Sequence, residues 1–250
     1  MTEPWLENPA RRDVGEVWFT PPSGAPILVK LIFTTGRLSI QVHPDDAYAK
    51  AHHESNGKTE MWHILRAEPD AVIGLNLKSG VTPAELRTAV GTERLESMLR
   101  WLPAKAGDTF FVSAGTIHAI GGGLVLCEVQ QVSDVTYRLW DYGSGRELHV
   151  AHGLEVATSG LGSGQRWPRL LGFGRQLLAE CAYFRTERIA VSGTGRISAR
   201  DRTAICVVLE GSGTLAGQAF GPGDGWELPA SETDWPVSSA KCTFLTTCLP

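Results

Sequence analysis

The chain has 250 residues, 42% of them hydrophobic and 20% charged, with a formal net charge of −4. That length buries a full core in one large or two small domains, and 28 glycines with 14 prolines supply the turns of a β-rich architecture. The charge balance excludes a nucleic-acid or membrane surface, no apolar run reaches the length of a membrane span, and the N-terminal MTEPWLENPARRD lacks the apolar core of a signal. A cytoplasmic protein is expected, as a monomer or weak homo-oligomer. The five cysteines, 127, 181, 206, 242 and 248, form no C-x-x-C pair, which fits reduced thiols. Cys127, beside Glu128, reads as a small buried hydrophobe without a functional role.

Residues 1–14 are polar and read as a surface arm, with VGEVWF (14–19) as a first strand. Two more strands follow, joined at Thr34–Arg37. Lys30 lies in the first of these among apolar residues, so it either pairs with a carboxylate or snorkels to the rim. In LSIQVHPDD, Ser39, Gln41 and His43 alternate with Ile40 and Val42, so a strand here puts the three polar side chains on one face. Residues 45–57 are polar and end in Gly, with His52 and His53 expected in solvent. Lys58, Glu60, Trp62 and Ile64 share strand parity; a cation two residues from Glu60 is either charge balance or a substrate contact.

TPAELRTAV has Thr82 as N-cap, Pro83 at the first helical position and Glu85 closing a capping box. TERLESMLRWL reads as a second helix capped by Thr92, with Leu95, Met98, Leu99 and Leu102 as its apolar stripe. This insertion, about 82–102, is expected to cap one end of the β-structure. KAGDTFFVSAGTIHAIGGG then gives a turn at Gly107-Asp108, a strand, and His118 in a Gly-bounded loop, with Gly121–Gly123 marking close backbone approach or positive φ. In LVLCEVQQVSDVTYRLWD, Arg138 alternates with Tyr137 and Leu139. It is either paired with Asp134 or Asp141, or it grips a phosphate or oxyanion with its planar fork.

Gln and His on one strand face incur a desolvation cost that metal ligation would explain. Gln41, His43, Glu60 and His118 together form a candidate metal cage. Two imidazole nitrogens and two oxygens suit zinc, with manganese, iron or cobalt as alternatives, and no cysteine joins the set, so it is no structural zinc knot.

QVHPDD, GKTEMWHIL, GDTFFVSAGTIHAIGGGLVLCEVQQVSDVTYRLWDY and RELHV, in this order and spacing, resemble the type I mannose-6-phosphate isomerases, from about Gly15 to His152. The resemblance implies a mainly β protein of two jelly-roll cupin domains, with a small helical insertion in the first. It implies one zinc per chain and an aldose–ketose isomerisation of mannose 6-phosphate and fructose 6-phosphate through an enediol. Residue by residue it implies that Ser39, Lys58 and Arg138 contact substrate and that Glu128 is the carboxylate for proton transfer, with Lys58 and Arg138 sharing the catalytic work. A hydrogen bond from Arg138 to Glu128 is the competing structural role.

Two departures stand out. Many relatives carry proline where Ser113 stands, which should loosen that loop slightly. DYGSGRELH is shortened at Gly143-Ser144-Gly145, where relatives have a further basic residue, so Arg146 either compensates or phosphate grip weakens. GLEVATSGLGSGQRWPR reads as a linker, and EGSGTLAG with GPGDGWELPA resembles a second, metal-free cupin half. The expected boundaries are a catalytic domain 1–152, a linker 153–169 and a degenerate cupin 170–250. Competing classes are an iron oxygenase, which Gln41 in place of a His argues against, a non-catalytic sugar-phosphate sensor, and an isomerase of another phosphosugar.

Overall fold

The computed structural model describes residues 14–198, 202–232 and 234–250, so the polar arm read over 1–14 lies outside the described residues but for its last position. The elements in chain order are β1 (Glu16–Phe19), β2 (Ile27–Thr34), β3 (Ile40–Val42), α1 (Asp46–His53), β4 (Glu60–Ala67), β5 (Val72–Leu77), α2 (Pro83–Ala89) and α3 (Arg94–Met98). Next come β6 (Leu99–Pro103), β7 (Thr109–Val112), β8 (His118–Ile120), β9 (Leu124–Gln131), β10 (Tyr137–Trp140), α4 (Val150–Val156) and β11 (Gly164–Arg166). The remainder is β12 (Arg169–Gly172), β13 (Arg175–Glu180), β14 (Arg185–Ser198), β15 (Ala204–Glu210), β16 (Gly213–Leu215), β17 (Gln218–Phe220), β18 (Gly225–Leu228) and β19 (Asp234–Cys248).

Two compact units emerge, Leu31–Gln165 and Met1–Lys30 with Arg166–Pro250. The first is a sandwich of two antiparallel sheets, one containing β2-β9-β4-β7 in that order and the other running β10-β3-β8-β5-β6. The two strands joined at Thr34–Arg37 therefore belong to different sheets. Strand parity sorts their side chains as the pleat requires. Trp62 and Ile64 of β4, Phe110 and Val112 of β7, and Leu124 and Leu126 of β9 meet Ile73, Leu75 and Ile120 of the facing sheet in one buried cluster. Burying a side chain such as Phe110 stabilises the sandwich by about 1.5–3 kcal/mol.

The outer face of the second sheet presents Ile40, Val42, Ala119, Tyr137 and Leu139, which are covered by Leu86 and Ala89 of α2, Leu95 and Met98 of α3, and Val156 of α4. The helical insertion thus lies on a sheet face rather than at an end of the β-structure, because these strands leave an apolar outer face that needs a cover. Thr82 caps α2 through its side chain and Glu85 completes the box. The second helix is shorter than its stripe suggests: it ends at Met98, and Leu99–Pro103 pairs with β5 as strand β6. Its N-cap is Glu93, while the Thr92 hydroxyl donates back to Ala89 O.

The other unit holds a sheet in the order β12-β13-β14-β19-β15-β18, with β16 and β17 attached through β19. Its core is Ile189, Val191, Cys206, Val208, Phe220, Leu228, Val237, Cys242 and Phe244, among others. In β1–β2 the Lys30 ammonium is buried, 3.7 Å from the Glu16 carboxylate and 4.1 Å from the centre of the Trp18 ring, so it pairs rather than snorkels. The stretch read as a linker from Gly153 begins inside α4, whose Gly153 and Val156 are buried.

Candidate metal centre

Three strands, β3, β4 and β8, with the residue that follows β3, carry the candidate ligands to the inner faces of the sandwich. Gln41 on β3 pairs with Arg138 on β10 and with His118 on β8, so the three side chains form a row across one sheet. On the facing sheet Glu60 of β4 pairs with Gln130 of β9, and Trp62 with Glu128. His43, Glu60 and His118 are each about 1% exposed and form the metal-type group of His, Cys, Asp and Glu found among the described residues.

The His43 Nδ1–H donates to Val135 O at 3.0 Å and the His118 Nδ1–H to Thr116 O at 2.9 Å. A carbonyl only accepts, so both rings carry the proton on Nδ1 and turn the Nε2 lone pair inward. Burial pushes the His118 imidazole down to about 4, so it is neutral at pH 7. His43 Nε2 lies 3.6 Å from Glu60 Oε2, and His118 Nε2 lies 3.4 Å from Glu60 Oε1. The Gln41 amide nitrogen is 3.5 Å from His43 Nε2 and 3.3 Å from His118 Nε2, while Gln41 Oε1 accepts from the Ser39 hydroxyl at 3.0 Å. One donor atom from each of His43, Glu60 and His118 lies within 4.8 Å of the others, and two imidazole nitrogens with a carboxylate are a donor set that zinc accepts. Ligation by Gln41 requires its amide to turn over, which the Ser39 hydroxyl tolerates because it accepts as well as it donates.

Lys58 and Glu128 sit beside this group. Lys58 Nζ is 3.2 Å from Glu60 Oε2 and 4.0 Å from Glu128 Oε1. Glu128 Oε2 accepts from the indole of Trp62 at 2.9 Å. Arg138 is half-buried in the same row as Gln41, and its guanidinium enters no hydrogen bond or ion pair among the described residues. Its backbone is held instead: its N–H donates to His149 Nδ1 at 3.2 Å and its carbonyl accepts from the His149 N–H at 2.8 Å. Asp141, offered as a structural partner for Arg138, forms a two-pronged pair with Arg146 at 2.5 and 2.6 Å. That guanidinium and the Ser144 hydroxyl hold the Asp141 carboxyl below its usual range.

Ser113 ties its loop rather than loosening it, since its hydroxyl reaches Ser163 Oγ at 2.8 Å and Thr116 Oγ1 at 3.2 Å. Trp62 is the residue that sequence reasoning passed over; its shared parity with Glu60 was the available signal, and its cross-strand partner was not. Cys127 is fully buried, as a small hydrophobe would be.

A jelly-roll sandwich with a His–Glu–His group between its sheets defines a cupin with a candidate metal centre. No family model matches the chain. Mannose-6-phosphate isomerase of Streptococcus mutans is 34% identical over 84% of this chain and 70% of its own length. Mannose-6-phosphate isomerase ManA of Bacillus subtilis is 35% identical over 76% of this chain and 63% of its own length. The crystal structure of a mannose 6-phosphate isomerase from Bacillus subtilis superposes with a TM-score of 0.80 at 33% identity, over 89% of this chain and 74% of that one. The chain belongs to the mannose-6-phosphate isomerase family.

Proposed function

We propose that this isomerase interconverts mannose 6-phosphate and fructose 6-phosphate through an enediol, with one zinc held by Gln41, His43, Glu60 and His118. The observation that carries the reading is the placement of Lys58 and Glu128 beside the His43–Glu60–His118 group, with Arg138 in register with Gln41 in the same row. A zinc there supplies Lewis acidity to the sugar's carbonyl and hydroxyl oxygens. Glu128 carries the proton between C1 and C2, with the Lys58 ammonium 4.0 Å from its Oε1. Arg138 and Lys58 hold the negative charge of the enediolate or the phosphate, and Ser39 contacts the sugar while orienting Gln41. Arg146 is engaged with Asp141, which supports a phosphate grip resting on Arg138 and Lys58. The sheet core after Arg166 belongs to a metal-free cupin half in this reading, and no histidine follows His152 in the sequence.

The test is a coupled assay of mannose 6-phosphate conversion on chelated protein, with and without added zinc. Zinc-restored turnover is the expected result, and Arg138→Ala is expected to retain zinc while losing most of kcat. Folded protein with no turnover on any divalent metal would reject the reading in favour of a sugar-phosphate sensor.

A further inference from the structure

We infer that Trp62 is a positioning residue that fixes which oxygen of Glu128 is presented to the substrate, a step that rests on the proton-transfer role proposed for Glu128. Trp62 is fully buried and stands directly opposite Glu128 across β4 and β9. Its indole N–H donates to Glu128 Oε2 at 2.9 Å, and its ring meets that of His118 edge-on with centres 5.4 Å apart. One side chain therefore braces both the carboxylate and a ligand of the metal group. An indole has a single polar atom and, when buried, needs an acceptor; a carboxylate acceptor makes the bond charge-assisted and strongly directional. With Oε2 held by the indole, Oε1 is the oxygen on the Lys58 side, 4.0 Å from that ammonium. A carboxylate free to spin would spread its reactive orientation over both oxygens, and proton transfer depends steeply on the position of the accepting atom.

Core filling alone would give Trp62 its burial, so the test separates the two roles. Trp62→Phe keeps the ring against His118 and removes the donor. It is expected to hold a full zinc complement and a KM within about twofold of the wild type, while kcat falls about tenfold or more. In a Glu128→Gln background the same change is expected to cost little further, because partners in one network are non-additive. A second measurement does not need the Trp62 variant to fold: in 15N-indole-labelled protein with Trp62 intact, Glu128→Gln is expected to move one indole N–H resonance upfield of its wild-type position. An unchanged kcat in Trp62→Phe, equal losses in both backgrounds, or no indole resonance moved by Glu128→Gln would each overturn the inference. Absence of zinc-dependent turnover in the wild type is a different outcome. It would reject the isomerase reading, and with it the catalytic consequence, while the resonance shift would still report the Trp62–Glu128 bond.

Discussion

Glu60 does two jobs with one carboxylate. It faces the Nε2 atoms of His43 and His118 and lies 3.2 Å from the buried Lys58 ammonium. Removing the charge but keeping the shape separates the jobs. Glu60→Gln, measured in chelator so that metal plays no part, is expected to lower the urea-unfolding stability by about 3 kcal/mol, because Lys58 loses a buried counter-charge. The same variant is expected to bind zinc far more weakly in a chelator competition, and an unchanged affinity would remove Glu60 from the ligand set. Elsewhere burial makes chemistry less accessible. Cys127 and Cys206 are fully buried and burial pushes both thiols well up, as it does, less strongly, at buried Cys242. An aromatic disulfide reagent is therefore expected to label Cys181 and Cys248, which are half-buried, in the native protein, and the other three only after denaturation.

At the level of elements, local sequence signals held where the backbone itself supplies the partner. The Thr82–Glu85 box is legible because both halves lie within three residues, and Thr82→Ala is expected to cost about 1 kcal/mol in thermal or urea unfolding. The apolar stripe of TERLESMLRWL was legible as core but not as a break at Met98. Leu99–Pro103 reads equally well at a helical or a strand period, and pairing with β5 decides. Of the candidate metal set, Gln41 and His43 were legible from alternation along one strand, whereas the tautomer-fixing carbonyls of Thr116 and Val135 and the Trp62–Glu128 bond depend on sheet register, which sequence spacing does not encode. The shortened loop has its own electrostatics. Arg146 depresses the Asp141 carboxyl, so the pair contributes stability above the ordinary carboxylate value, and that contribution is lost as the pH falls through the lower folded value. Asp141→Asn is expected to lower the urea midpoint at pH 7 and to match the wild type more closely near pH 2; an offset independent of pH would assign the loss to packing instead.

On the scale of the whole molecule, the candidate ligand side chains come from β3, the segment after it, β4 and β8, all within Leu31–Gln165. The Arg166–Pro250 core is built from aliphatic, aromatic and cysteine side chains around β14, β15 and β19. A metal that binds the folded state and not the unfolded chain stabilises whatever opening transition exposes its ligands, by about 2.7 kcal/mol at a hundredfold excess over Kd. That linkage acts only on openings that break the His43–Glu60–His118 group. Hydrogen exchange with and without zinc is therefore expected to show slower exchange at Ile40–Val42, Glu60–Ala67 and His118–Ile120 on zinc addition. Ala204–Glu210 and Asp234–Cys248 are expected to exchange at unchanged rates. Equal slowing in both sets would mean that the two units open as one cooperative block. Slowing confined to the second set would place the metal outside the sandwich and reject the ligand assignment.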